Sequence, residues 1–413
     1  MKPLPVSPLA PNKKQILTPI AGCRMASRKA RIYYDGRCDM LLMAFDPGTT
    51  VAGVLTSNQM SSPSINWCRK HLSSGTARGL VVNAGNANSF TGAHGVIACA
   101  ETAKSAAAVL RCEPKEIMIA STGVIGEPIR YERIIENLPA AQAGLVDDAW
   151  EIAAATIMTT DTFAKMASRT AIIHGEAVKI NGIAKGSGMI APNMATTLSF
   201  IVTDAKLPSS FLKTLLTRGI ERSFNLITVD SDQSTNDMAM MFATCKSGPQ
   251  NIKISTTKDP ALRDFRRQLY DLLHDLAIQV VSDGEGASKL VSVAVSGAAS
   301  TLAAKRIAMS IANSPLVKTA IAGGDANWGR IVMAVGKSGE KANQDKLSIA
   351  IGGIEVASNG MRVESYDESK VANHMNNKNI DIAVDVGVAR GRSKVWTCDL
   401  THKYLEINAD YRS

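Results

Sequence analysis

A chain of 413 residues with 45% hydrophobic and 20% charged side chains has the composition of a globular protein with a substantial core, on a length that suggests two or three domains. It is neither disordered nor membrane-like, and no uninterrupted apolar run reaches the roughly 18 residues of a membrane span. The net charge of +9 is concentrated before residue 80, where Asp35, Asp39 and Asp46 oppose Lys2, Lys13, Lys14, Arg24, Arg28, Lys29, Arg31, Arg37, Arg69, Lys70 and Arg78. Aromatics are only 5% and no reading motif accompanies the bases, so a solvated basic face is expected in place of nucleic-acid binding. Met1 to Cys23 carries Pro3, Pro5, Pro8 and Pro11 with Lys13 and Lys14 in its interior, unlike a signal peptide, and a cytoplasmic location is expected. Seven scattered cysteines without Cys-x-x-Cys, and six dispersed histidines, predict free thiols and no metal.

In chain order, Met40 to Phe45 and Thr49 to Thr56 read as strands separated by the Asp46-Pro47-Gly48 turn. Leu80 to Asn83 is a short strand ending in the small-residue run Asn83 to Asn88, where backbone can approach a ligand. The spacing predicts a helix over His94 to Leu110. Glu116 to Ala120 is a strand opening into the Gly turn Ser121 to Gly126, which can present amides to an anion. Glu132 to Thr159 reads as helix interrupted near Pro139. Ala171 to His174 and Ala177 to Ile183 form a hairpin around Gly175-Glu176. Leu198 to Thr203 is a strand, Ser209 to Phe224 a helix, and Leu226 to Val229 a strand. From Pro260 a helix carries Phe265, Leu269, Leu272, Leu273 and Leu276 at helical spacing, ending by Asp283-Gly-Glu-Gly286. Beyond a boundary near Gly286 come a strand (Leu290 to Val295), a helix (Ser300 to Asn313), a strand (Val317 to Ala322) and closing strands. The alternation indicates an α/β or α+β fold.

The segment Lys185-Gly-Ser-Gly-Met-Ile-Ala-Pro-Asn-Met-Ala-Thr-Thr-Leu-Ser-Phe200 stands out for chemistry. A Gly-Ser-Gly turn and Pro192 lead to Ala195, then to the hydroxyls of Thr196 and Thr197 at the start of an apolar strand. Were the Ala195–Thr196 bond broken, Thr196 would hold a hydroxyl nucleophile beside its own α-amine, of pKa about 7.7 to 8.0, and would need no histidine as base. The same residues also read as a loop followed by a Thr-rich strand.

The segment resembles the processing site of the ornithine acetyltransferase (glutamate N-acetyltransferase, arginine-biosynthesis bifunctional) family, close to K-G-S-G-M-I-A-P-N-M-A-T-M-L. Thr197 stands where that family has Met. Further blocks match in order: Val82 to Asn88, Ser121 to Gly126, Met158 to Phe163, Ser234 to Asp237, Asp283 to Ala287, Asp325 to Arg330 and Ile407 to Tyr411. The resemblance implies an αββα layered sandwich of the N-terminal-nucleophile type, residues 1–286, with a smaller C-terminal α/β domain, residues 287–413. It implies self-cleavage between Ala195 and Thr196 into an α chain (1–195) and a β chain (196–413), assembled as α2β2 or larger.

It further implies acetyl transfer from N2-acetylornithine to glutamate without a cofactor or metal, with acetyl-CoA left open as a second donor. Thr196 would be the nucleophile and Thr122 and Gly123 the oxyanion hole, which preorganised donors must supply in acyl transfer. Thr162, Lys185, Thr196, Glu285, Asn408 and Ser413 would bind substrate. In chemical terms, Lys185 suits an α-carboxylate, Glu285 a side-chain ammonium and Asn408 an amide. Gly324, Phe90 and Ser231 depart from the family pattern, the first replacing an arginine and the others smaller residues. A related amidase or aminopeptidase, with water as acceptor, is the rival reading; a basic nucleic-acid-binding protein would instead show steeply salt-dependent binding.

Overall fold

The run Met40 to Phe45 offers apolar side chains to both faces of a strand, so it can settle only where both faces are covered. In the computed structural model, which describes residues 4–13, 15–191, 197–248, 254 and 256–409, it does so. Leu41, Met43 and Phe45 face a second sheet, while Met40 and Leu42 face helices.

The first part of the chain holds β1 (Cys23–Arg28), β2 (Met40–Phe45), β3 (Thr50–Leu55), α1 (Pro63–His71), β4 (Gly79–Asn86), α2 (Gly92–Leu110), β5 (Ile117–Val124), α3 (Tyr131–Ala143) and α4 (Trp150–Thr156). Next come β6 (Lys165–Ile173), β7 (Glu176–Lys185), β8 (Leu198–Ala205), α5 (Ser209–Glu221), β9 (Met238–Ser247) and α6 (Arg263–Ser282). The last part holds β10 (Leu290–Ala298), α7 (Thr301–Ala312), α8 (Pro315–Ala322), α9 (Trp328–Gly336), β11 (Ser348–Ile351), β12 (Ile354–Ser358), β13 (Met361–Arg362), α10 (Glu368–Met375), β14 (Asn379–Asp385), β15 (Gly391–Cys398) and α11 (His402–Ala409).

Among the described residues the strands form three sheets, ordered β1-β2-β4-β5, β3-β9-β8-β7-β6 and β13-β12-β11-β14-β10-β15. The first two lie face to face. Between them pack Leu80 and Val82 of β4, Met118 of β5, Phe200 and Val202 of β8, and Met240 and Phe242 of β9, with the Phe45 and Phe242 rings stacked 4.4 Å apart. The alternate residues point outward: Val81, Ile117 and Ile119 meet α2 and α3, while Ile180, Ile201 and Met241 meet α5 and α6. Side-chain alternation along each strand therefore builds the helix–sheet–sheet–helix layering. In α6, Leu269, Leu272, Leu273 and Leu276 are all fully buried, each contributing about 2 kcal/mol of transfer free energy. A charged substitution at Leu272 would have no route to water. The third sheet has its own core, from Val291 to Val395, covered by α7 to α10.

Several details depart from the sequence expectations. The Asp46-Pro47-Gly48 turn separates β2 from β3 as expected, and because these strands lie in different sheets it carries the chain between layers, a step the sequence did not indicate. Val317–Ala322 is helix, not strand, because Ser314 caps it by accepting the Val317 N–H and Pro315 opens it. Leu226 to Val229 joins no sheet; Phe224–Leu226 is a 3₁₀ turn followed by a single bridge from Ile227 to Trp396. Helix α3 runs through Pro139, whose exposed face leaves the unmade backbone bond to solvent. Strand β1 and the interior strand β9 are absent from the sequence reading. Among the described residues, no helix is long and apolar enough to cross a membrane.

Candidate active site

A cavity of about 310 Å³ opens where the ends of β5, β7 and β8 converge. Its walls come from Thr122 and Gly123, Thr159 and Thr160, Lys185 and Gly188, Thr197, Asn236 and Asp237, and Glu285 with Asn408. Of the residues expected from sequence, Thr122, Gly123, Lys185, Glu285 and Asn408 are thus brought together. Ala195, Thr196 and Ser413 lie outside the described residues. Thr197, the residue after Thr196, is buried on the cavity wall, and its carbonyl accepts the Met238 N–H at 3.0 Å.

The Thr122–Gly123 wall depends on a close backbone approach. Gly123 has φ 134° and pairs with Gly85, φ 99°; a Cβ on Gly123 would fall 2.0 Å from the Gly85 carbonyl carbon. No other residue fits there. The pairing of β4 with β5 shifts register beyond this point, ending the ladder beside the cavity. Asn236 fixes the same edge, its Nδ2 donating to the carbonyls of Ala87 at 2.6 Å and Ser121 at 2.9 Å.

Lys185 ends β7, where it pairs with Leu198 at the start of β8, so the segment between them leaves and re-enters one sheet side by side. The lysine is buried, 8% exposed, and among the described residues its ammonium has no hydrogen-bond or salt-bridge partner. Burial pushes its pKa below the ordinary lysine value, against the opposing pull of Asp161. Beyond it, Ser187 donates to the Asp283 carbonyl at 2.6 Å, and Asp230 accepts the N–H groups of Met189 and Ile190 at 2.6 and 2.8 Å.

Glu285 follows α6, its N–H bonded to the Ser187 carbonyl at 3.0 Å and its carboxylate accepting from Asn408 Nδ2 at 2.7 Å. Burial raises its pKa, opposed by hydrogen bonds from Thr160 and Asn408. Behind these walls lies a buried ionic group. Lys165 Nζ donates to Asp161 Oδ1 at 2.7 Å and Asp283 Oδ2 at 2.6 Å, and the three side chains expose no surface. Burial alone would lower the Lys165 pKa and raise that of Asp161; instead the paired charges raise the first and lower the second.

Thr162 falls in an adjoining cavity of about 80 Å³. Its hydroxyl donates to Asp283 Oδ1 at 2.5 Å and accepts the Ser7 N–H at 2.8 Å. Thr159, Thr160, Asn236 and Asp237 were not assigned roles from sequence, although two of the matched blocks, Met158 to Phe163 and Ser234 to Asp237, contain them. Phe90 and Ser231, which depart from the family pattern, both take left-handed backbone, φ 58° and 67°, where smaller residues sit more easily. Among the described residues no cluster of three or more His, Cys, Asp and Glu is placed to hold a metal ion.

A family model described as the ArgJ family matches residues 24–413. The chain belongs to the ArgJ family. Among its relatives, the arginine biosynthesis bifunctional protein ArgJ of Gluconobacter oxydans (strain 621H) is 56% identical over 412 residues, covering 100% of this chain and 96% of that protein. The protein of the same name from Agrobacterium fabrum (strain C58) is 52% identical over 409 residues, 99% of each. A crystal structure of the arginine biosynthesis bifunctional protein from Bacillus halodurans is 39% identical, covers 51% of this chain and 98% of its own, and superposes with a TM-score of 0.48.

Proposed function

We propose that this ArgJ-family chain is a self-processing acetyltransferase of arginine biosynthesis, carrying acetyl from N2-acetylornithine to glutamate through an ester on Thr196. The observation that carries this reading is one cavity walled by a buried ammonium, Lys185, and a buried carboxylate, Glu285, beside the Thr122–Gly123 edge and Thr197. Near-full-length relatives named arginine biosynthesis bifunctional proteins support it.

Cleavage of the Ala195–Thr196 bond frees an α-amine that can take the Thr196 hydroxyl proton. The Thr196 oxygen then bonds to the acetyl carbon, the resulting oxyanion is held at Thr122 and Gly123, and the carbon–nitrogen bond of the donor breaks as its nitrogen receives the proton. Ornithine leaves. Glutamate's amine attacks the ester, restoring the threonine hydroxyl and giving N-acetylglutamate. Lys185 receives the α-carboxylate common to donor and acceptor, Glu285 the donor's side-chain ammonium, and Thr162, Asn408 and Ser413 complete the substrate contacts. Acetyl-CoA is a candidate second donor. The reading extends to α2β2 assembly of residues 1–195 and 196–413, a cytoplasmic location, and a domain division after Gly286.

Purified protein supplied with N2-acetylornithine and labelled glutamate should yield ornithine and labelled N-acetylglutamate in equal amounts. Release of acetate at a rate indifferent to glutamate would replace the transferase by a hydrolase.

A further inference from the structure

Lys165 is deeper than any substrate contact, yet it joins the segments that carry the two charged walls. Through Asp161 it reaches the lysine wall, because Asp161 Oδ1 also accepts the Gly186 N–H at 2.7 Å, one residue beyond Lys185. Through Asp283 it reaches the glutamate wall, two residues before Glu285. Ser187 closes the loop a second time: its hydroxyl donates to the Asp283 carbonyl and its own carbonyl accepts the Glu285 N–H. The walls are therefore fastened to each other by two routes, one ionic and one through Ser187.

We infer that Lys165 and Ser187 are positioning residues that set the separation of Lys185 and Glu285, and with it the chain length of diamino-acid donor the cavity accepts. The inference rests on the proposed roles of those two walls. A donor anchored by its carboxylate at one wall and its ammonium at the other must span a fixed gap. One methylene too few or too many leaves one charge unpaired in a buried site, a heavier loss than a missing methylene in an apolar pocket. Rigidity of the gap, not the identity of either wall residue, then decides between donors that differ only in length.

The test compares transfer to glutamate from the N2-acetyl derivatives of 2,4-diaminobutyrate, ornithine and lysine. The wild-type protein should favour one length, and Ser187→Ala should cut that preference by about tenfold, chiefly through KM of the favoured donor. Lys165→Met should cut it further where the protein folds; Ser187→Ala keeps the test decisive where it does not. A purely structural role would lower all three donors by a common factor. An unchanged ratio in Ser187→Ala, or a wild-type protein indifferent to length, overturns the inference while leaving the transferase reading intact. Failure of the wild-type protein to use any of the three overturns that reading itself.

Discussion

A Cβ on Gly188 would stand 2.4 Å from Glu285 Oε2, so the loop beyond Lys185 and the carboxylate opposite it fill one another's space. The obstructed atom is the end of a side chain, but that end is tied to Asn408 and Thr160. Gly188→Ala should therefore displace the carboxylate from Asn408, costing the fold about 1 to 3 kcal/mol for the hydrogen bonds of a buried charge. The expected result is a KM for acetylornithine raised about tenfold with kcat nearly unchanged. Steady-state kinetics beside a urea melt separate the two effects; a large stability loss with normal KM would mean the loop gave way instead.

Thr196→Ala should abolish both self-cleavage and transfer, whereas Thr197→Ala should still cut. After a break at residue 195, Thr197 keeps an ordinary peptide nitrogen and so has no amine of its own to act as base. Intact mass should show fragments beginning at Met1 and Thr196 in the second variant and an uncut chain in the first. The reverse pattern would move the nucleophile by one residue.

Asn236→Ala removes both hydrogen bonds that hold Ala87 and Ser121. Two buried carbonyls left without this donor should cost about 1 to 3 kcal/mol of stability. Because Ser121 precedes the Thr122–Gly123 edge, kcat should fall more than KM rises. No change in either parameter, alongside the stability loss, would detach Asn236 from the Thr122–Gly123 edge.

The lowered pKa of Lys185 fixes the sign of an alkaline limb. As pH rises, this lysine loses its proton before an ordinary lysine near 10.4 does, and the charge proposed to receive the donor carboxylate goes with it. Activity on acetylornithine, as kcat/KM, should fall from a pH below that value. Lys185→Arg should be a poor enzyme, since a planar fork does not replace a compact ammonium, yet its residual activity should hold to higher pH because guanidinium stays charged. Identical limbs in both proteins would exclude Lys185 as the titrating group.

The αββα layering was legible only by resemblance, since apolar runs such as Met40–Phe45 state that both faces are covered but not by what. Strand β9 was missed for a related reason: Met-Ala-Met-Met-Phe carries no turn signal and little β-branching, and its place between β3 and β8 makes it a strand. The opposite error occurred at Val317–Ala322, where a β-branched start outweighed the Ser314-Pro315 helix opening. At the site, Lys185 and Glu285 were singled out only by the family resemblance, since a lone charge in a Gly-rich turn reads equally well as solvated surface. Asn236 was not singled out, because its value lies in two carbonyls from distant segments. Lys165, Asp161 and Asp283 carry no individual signal in the sequence, where the acids stand four and 118 residues from the lysine; only the fold buries them together.

The order β3-β9-β8-β7-β6 sets both strands of one of the pieces that a break before Thr196 would create between strands of the other: β3, β7 and β6 belong to the first, β9 and β8 to the second. Leu198 is hydrogen-bonded into both, antiparallel to Lys185 and parallel to Met238. Neither fragment contains a complete version of this sheet, and each would expose the long apolar edges that drive aggregation. The pieces are thus interleaved like the fingers of two hands, and no diffusional encounter of separately made halves reproduces that weave easily. Folding would have to come first and the cut second, so the appearance of a fragment beginning at Thr196 would be a clock for completion of this five-stranded sheet.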